Sequence, residues 1–230
     1  NEPVFFFDID NCLYERSTKI HDLMQIYIHK FFKDNLKLND EDAHRLHHRY
    51  YTQYGLAIEG LVRNHKINAL DYNKLVDDAL PLEKILKPNE ELRKMLLSLK
   101  KNGICKRLWL FTNAYKNHGL RVVHLLGIGD LFDGITYCHY EEFPLICKPM
   151  PQMFDRALKE AGVLDKKNAY FVDDSGLNTR AAKKFGWGHV IQYVEREEDL
   201  EAVRSKSAEN EGISLIRNIL DIPKVCPELF

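Results

Sequence analysis

Asp8-Ile9-Asp10-Asn11 places two carboxylates two residues apart, directly after the apolar run Val4 to Phe7. On a continuing strand they would point the same way, and in a loop they could still converge. Such a pair suits a hard divalent cation, which takes oxygen ligands. A solvated turn or a helix cap would look the same. Three more segments carry chemistry-bearing groups. Thr112-Asn113 follows Leu108 to Phe111. A hydroxyl and a backbone amide at a strand-to-helix junction can hold a phosphate oxygen, although either residue also serves there as an ordinary N-cap. Lys148-Pro149 precedes a helix start. Its ammonium could face a phosphate or a nucleophilic carboxylate, or it is a surface lysine. Asp173-Asp174-Ser175 follows Ala169 to Val172. Acids at the end of so apolar a run must be paired or hold a metal.

The elements that must position these groups are legible as patterns. Val4 to Phe7, Leu108 to Phe111, Gly134 to Tyr137, Ala169 to Val172 and Val190 to Tyr193 read as short buried strands of a parallel sheet. Helical spacing lies between them. Leu92, Met95, Leu96 and Leu99 are stopped by Gly103, and Leu120, Val123 and Leu126 by Gly127. Pro151 opens a helix at its favoured first position, and another runs from Asn178 to Phe185 before Gly186. This alternation predicts a three-layer α/β domain with right-handed crossovers. Each chemical segment then sits at or near the carboxyl end of a strand, where open α/β sheets bind ligands.

From about Arg16 to Leu86 no strand pattern appears. Ile20, Leu23, Met24, Tyr27 and Phe31 form one amphipathic face, Asp40 to Tyr51 is polar and then aromatic, and Tyr72 to Leu80 is helical again. The expectation is an all-helical lobe over 16–86, inserted into a core built from 1–15 and 87–230. The stretch Glu195 to Glu211 is charged and expected to face solvent, and Ile213 to Leu220 is expected to form a last short helix.

Bulk composition excludes several classes. Lys plus Arg total 33 against 34 for Asp plus Glu, so no basic footprint for a nucleic-acid polymer or an anionic membrane is present. No apolar run approaches bilayer length, and stable membrane anchoring is not expected. The five cysteines make no Cys-x-x-Cys pair and their number is odd. That argues against a disulfide framework or a structural zinc site and for a reducing compartment, cytoplasmic or nuclear. No secretory leader is visible, and opening on Asn1 rather than methionine suggests that an upstream segment is missing.

Taken together, DxD after the first strand, Thr after the second, Lys before a helix and DD after the fourth resemble the four signatures of the haloacid dehalogenase-like (HAD) superfamily. The helical insertion resembles its type 1 cap. Asp8-Ile9-Asp10-Asn11-Cys12-Leu13-Tyr14, Tyr54 to Leu61 and Thr112-Asn113-Ala114 are similar to its pyrimidine 5′-nucleotidase group. Cys12 stands where many relatives have threonine, and Asn178 where many have a third acid.

The resemblance implies a sheet of order 3-2-1-4-5 and a Mg²⁺-dependent phosphomonoester hydrolase. By it, Asp8 is the nucleophile, and Asp10 the general acid and then the base. Thr112 and Lys148 hold phosphoryl oxygens, and Asn113 helps through its backbone amide. Mg²⁺ would take the Asp8 carboxylate, the Asp10 carbonyl and the Asp174 carboxylate, with Asp173 acting through water. The cap would choose the leaving group. Tyr50, Tyr51 and Tyr54 cluster there, with Glu59 and His65 nearby. Aromatics stack on nucleobases and carboxylates accept from ribose or base, although the tyrosines could equally pack the cap's own core. Nucleoside 5′-monophosphates are the expected substrates and lysophosphatidate the alternative, for which no apolar groove is visible.

Other chemistries fit less well. A C–halogen hydrolase of this fold needs no metal, which leaves Asp10, Asp173 and Asp174 without a purpose. A cysteine phosphatase needs Cys-x₅-Arg, and Thr18 stands where the arginine would be. A phospho-accepting receiver domain is roughly half this length and lacks a cap. A non-catalytic binding protein would not need the whole set. Oligomeric state is not legible.

Overall fold

The computed structural model describes residues 2–230. Six strands form one parallel sheet of order β3-β2-β1-β4-β5-β6. They are β1 (Val4–Phe7), β2 (Arg107–Phe111), β3 (Gly134–Thr136), β4 (Ala169–Asp173), β5 (His189–Tyr193) and β6 (Ile213–Ile216). The helices are α1 (Ile20–Leu36), α2 (Asp40–Tyr54), α3 (Ala57–His65), α4 (Ala69–Leu75), α5 (Leu82–Ile85), α6 (Glu90–Lys101), α7 (Lys116–Leu125), α8 (Pro151–Glu160), α9 (Gly176–Lys184), α10 (Glu197–Arg204) and α11 (Ile222–Val225).

β1 is buried on both faces, and its side chains alternate between two cores. Phe5 and Phe7 join Leu108, Leu110 and Val172 beneath Leu92, Leu96 and Leu99 of α6 and Val122 and Val123 of α7. Val4 and Phe6 join Phe111, Phe171 and Trp187 beneath Met153, Phe154 and Ala157 of α8. Helices on both faces leave the strand ends as the sheet's accessible edges. Asn89 caps α6 by accepting from Leu92 N, and Pro151 stands at the start of α8 as expected.

The insertion between β1 and β2 is helical throughout, α1 to α5. Phe31, Phe32, Tyr50, Ile58, Leu61 and Tyr72 make its core, which continues into Cys138, Tyr140, Leu145 and Cys147 of the sheet domain. Both connections are tied down. The Glu195 carboxylate accepts from Arg16 N at 2.6 Å and Ser17 N at 3.3 Å. On the return, Arg121 binds Glu83 through two nitrogens at 2.7 and 2.6 Å and donates to Leu80 O at 2.6 Å.

Two expectations need correction. Ile213 to Ile216 is the sixth strand, paired in parallel with β5, and not the start of a helix; the helical turns come later, at Ile219–Asp221 and α11. A four-residue apolar run has no decisive period, and the open edge of β5 settles it by offering backbone partners. The charged stretch Glu195 to Glu211 faces solvent as expected, apart from Leu200 of α10, and its first acid binds the start of the insertion. Leu120 lies on the solvent side of α7; Val122, Val123 and Leu126 form the buried face. All five cysteines are buried and free. No helix among the described residues is long and apolar enough to cross a membrane.

Candidate active site

β1 ends at Phe7, and the chain keeps its pairing for one more residue through Asp8 N to Val172 O at 3.0 Å. Asp8 therefore stands on the floor of the edge between β1 and β4, beside Asp173 at the end of β4. The Lys148 ammonium reaches between them. It donates to Asp8 Oδ1 at 2.9 Å, Asp173 Oδ2 at 2.6 Å and Phe111 O at 2.8 Å, which uses all three of its hydrogens. A lysine only 1% exposed needs such partners. Burial alone would lower its pKa, but Asp173 and Asp8 together outweigh it and hold the ammonium above its ordinary value. The lysine is thus a buried, charged part of the site and not a surface residue.

Asp8, Asp173 and Asp174 each offer a carboxylate oxygen within 4.8 Å of the others. Burial first, then repulsion from Asp173, pushes the Asp8 carboxyl up to about 8. Burial and the charges of Asp8 and Asp173 raise Asp174 as well. One ammonium does not balance three clustered carboxylates, and the donors are all oxygen. That set fits a hard divalent cation such as Mg²⁺. Asp173 is the most heavily engaged of the three. Besides Lys148 it accepts from Ser175 N at 2.8 Å and from Asn178 Nδ2 at 3.1 and 3.3 Å. The amide at 178 steadies this carboxylate from behind without adding another charge.

Asp10 turns away from that cluster. Its Oδ1 accepts from Tyr14 Oη at 2.6 Å and pairs with His118 Nε2 at 2.7 Å. Burial would raise Asp10, but His118 and Tyr14 prevail and hold the carboxyl below its usual range. Burial likewise opposes a charged His118, yet Asp10 carries the imidazole up to about 9. Asp77, on the return from the cap, is a further buried acid near this pair, pushed up to about 6 by burial despite the attraction of His118.

Thr112 is not the cap of α7. Its N–H pairs with Thr136 O at 3.0 Å, and its hydroxyl accepts from Ala114 N at 3.0 Å, which leaves the hydroxyl proton free to donate. Asn113 grips the backbone of Lys148 on both sides, accepting from its N–H at 2.7 Å and donating to its carbonyl at 2.9 Å. The side chain of 113 therefore positions the lysine, a use additional to the backbone amide expected of it.

Tyr50, Tyr54, Glu59 and His65 bond within the helical insertion, with no hydrogen bond to the site carboxylates among the described residues. Glu59 is fully buried and takes the Arg63 guanidinium on Oε1, while Oε2 has no partner among the described residues. His65 Nε2 pairs with Tyr50 Oη at 2.6 Å, and Tyr54 packs on the Tyr50 ring beneath Arg63. A Cβ at Gly60 would collide with the Tyr50 ring at 2.2 Å, so part of the Tyr54 to Leu61 motif serves helix packing. The left-handed turn at Gly55 lies against Pro149, beside Lys148. Tyr51, one turn earlier, is 56% exposed, and behind the burial of its oxygen Asp174 and Asp173 raise its phenol. Among the three tyrosines, Tyr51 is the exposed one within electrostatic reach of the acids.

Tyr14, His118 and Asp77 were not legible as site residues. Tyr14 could have been suspected, standing four residues after Asp10; the others have no local signal.

A family model describing haloacid dehalogenase-like hydrolases matches residues 3–186. The chain belongs to that family. It is also 47% identical over 230 residues to Phosphate metabolism protein 8 of Saccharomyces cerevisiae, covering 96% of this chain and 72% of the yeast protein. Among solved structures, a putative beta-phosphoglucomutase from Thermotoga maritima is similar, with TM-score 0.63 and 20% identity, covering 99% of this chain and all of that one. Another is the putative HAD-hydrolase YfnB of Bacillus subtilis, bound to magnesium, with TM-score 0.60 and 12% identity over 98% of both chains. These two share the HAD fold. The parallel sheet, the helical insertion between β1 and β2 and the acidic cluster at the strand ends are this family's arrangement on this chain's own residues.

Proposed function

We propose that the chain is a Mg²⁺-dependent phosphomonoester hydrolase that works through an aspartyl-phosphate on Asp8. The observation that carries this reading is the Lys148 ammonium bonded to Asp8 and Asp173 beside Asp174. It holds one oxygen of Asp8, while the other has no hydrogen bond among the described residues. A free carboxylate oxygen at the strand ends can act as a nucleophile, and a covalent intermediate divides one hard displacement into two easier ones.

Asp8 and Asp174, with the Asp10 carbonyl, would hold the ion, and Asp173 would support it through water. When bound, Mg²⁺ offsets the charge of the phosphoryl group facing these carboxylates. Asp8 attacks phosphorus as Asp10 passes a proton to the departing oxygen. Asp10 then takes a proton from the water that cleaves the acyl-phosphate, a role that typically contributes about 10²–10⁴-fold. Thr112 and Lys148 donate to the phosphoryl oxygens. A C–halogen hydrolase would leave the acidic cluster without a purpose.

The cap, taken as the unit 16–86, selects the leaving group. Nucleoside 5′-monophosphates are the proposed main substrates, supported by the likeness of the Tyr54 to Leu61 segment to the pyrimidine 5′-nucleotidase group and by the exposed Tyr51 near the acids; Tyr54, Glu59 and His65 would act from within the insertion. The test is a phosphate-release panel over nucleotides, sugar phosphates, lysophosphatidate and p-nitrophenyl phosphate, each with Mg²⁺ and with chelator. Release should occur only with the ion, and nucleotides should rank first. Activity surviving thorough chelation would end the metal assignment. A top rank for lysophosphatidate would end the nucleotide assignment.

A further inference from the structure

His118 has no assigned task in that scheme. Its ring is completely buried, and Nε2 lies 2.7 Å from Asp10 Oδ1. An imidazole taken out of water needs a strong partner in exchange. Asp10 is that partner; Nδ1 has none among the described residues.

The approach is built into the sequence. A Cβ at the next residue, Gly119, would stand 2.8 Å from Ile9 Cδ1 and 3.1 Å from Ile135 Cδ1. With no side chain there, the first turn of α7 presses against the segment that carries Asp8 and Asp10. Tyr14 Oη meets the same Asp10 oxygen at 2.6 Å from the other side. Two donors thus converge on Oδ1, and Oδ2 has no partner among the described residues. The torsion that swings a carboxyl group is broad and soft. Donors on one oxygen stop that swing, and orientation is a large part of what makes a proton donor effective.

We propose that His118 is a positioning residue which, with Tyr14, clamps Asp10 by Oδ1 and makes Oδ2 the oxygen that moves the proton. This rests on the phosphomonoesterase reading. In the first half, the bond from Asp8 oxygen to phosphorus forms and the ester P–O bond breaks. Asp10, held below its usual range by His118 and Tyr14, first takes a proton from solvent on Oδ2, and that proton goes to the leaving oxygen. In the second half, water oxygen bonds to phosphorus and the bond to Asp8 breaks. The water proton returns to Oδ2. His118 exchanges no proton with substrate in either half.

The discriminating quantity is kcat/KM on two esters, because it reports the steps up to aspartyl-phosphate formation. One ester is the best alkyl phosphate of the panel above, whose leaving oxygen needs a proton. The other is p-nitrophenyl phosphate, whose leaving group does not. H118Q places an amide nitrogen near the position of Nε2, whereas H118N stops short of Asp10. H118N should lose about tenfold or more on the alkyl ester and about twofold or less on the aryl ester. H118Q should stay within about threefold of wild type on both. D10N should show the same selectivity, larger. If H118N does not fold, Y14F carries the test, with a selective loss of the same kind. Equal losses on the two esters, or H118Q no better than H118N, overturn the clamp. D10N without selectivity overturns the acid role of Asp10 and the clamp with it. A wild type that releases phosphate from neither ester overturns the phosphatase reading itself.

Discussion

Replacing Lys148 by methionine removes the ammonium set between Asp8 and Asp173 and leaves two buried carboxylates facing each other. Breaking a buried pair on one side costs on the order of 3–5 kcal/mol. K148M should therefore unfold at clearly lower urea than wild type at pH 7.5 and release no phosphate. An undiminished midpoint would mean that the lysine does not hold these charges. Asp77 gives the opposite case. Its folded pKa, about 6, lies above that of an unfolded aspartate, so the native state binds the proton more tightly. That stability is present at low pH and is lost as pH rises through about 6. D77N should be more stable than wild type at pH 7.5, by on the order of 1–3 kcal/mol, and the difference should vanish near pH 4. Urea melts at the two pH values measure this; a destabilised D77N at pH 7.5 would contradict it. Asp8, Asp173 and Asp174 could be suspected from sequence because unpaired acids at the ends of apolar strands need a reason, and Lys148, which alone reads as a surface lysine, only through its place among the four motifs. His118 could not, since its partner is 108 residues away and no local period reports such a contact.

The strands β1, β2, β4 and β5 were legible because a strand buried on both faces reads as a nearly continuous apolar run, and α6 to α9 because each carries a stop or start residue at its end. β6 was not, because its state depends on the neighbouring edge and not on its own four residues. The cap's helices were legible, but which of their faces meets substrate was not. Tyr50, Tyr51 and Tyr54 alternate between core and surface as a helix turns, so composition alone cannot assign them. Y51A should alter the ranking of nucleotides while changing turnover of p-nitrophenyl phosphate by less than about threefold. Y54A, which unpacks Tyr50 and frees Arg63, should add a loss of thermal stability. Equal losses on both kinds of substrate for Y51A would take Tyr51 out of substrate recognition.

At the scale of the whole molecule, the parallel sheet concentrates at one edge carboxylates from segments about 165 residues apart along the chain (Asp8 to Asp173 and Asp174). The fold therefore carries a repulsion that a cation relieves. Saturating Mg²⁺ at about 100 times Kd should add roughly 2.7 kcal/mol, a rise of several degrees in Tm for a chain of this size. The rise should shrink as pH falls, because Asp8 and Asp174, both raised, retain protons that the ion must displace. D174N should show no rise at any pH. A Mg²⁺-independent Tm in the wild type would remove the ion from the account.

The central claim is that Asp8 becomes covalently phosphorylated. Enzyme quenched in acid during turnover with Mg²⁺ and substrate, then reduced with borohydride, converts an aspartyl-phosphate to homoserine. Peptide mass spectrometry should find homoserine at position 8, and at no other aspartate, only when both Mg²⁺ and substrate were present. An unmodified Asp8 during rapid turnover, or homoserine at another position, would contradict the mechanism.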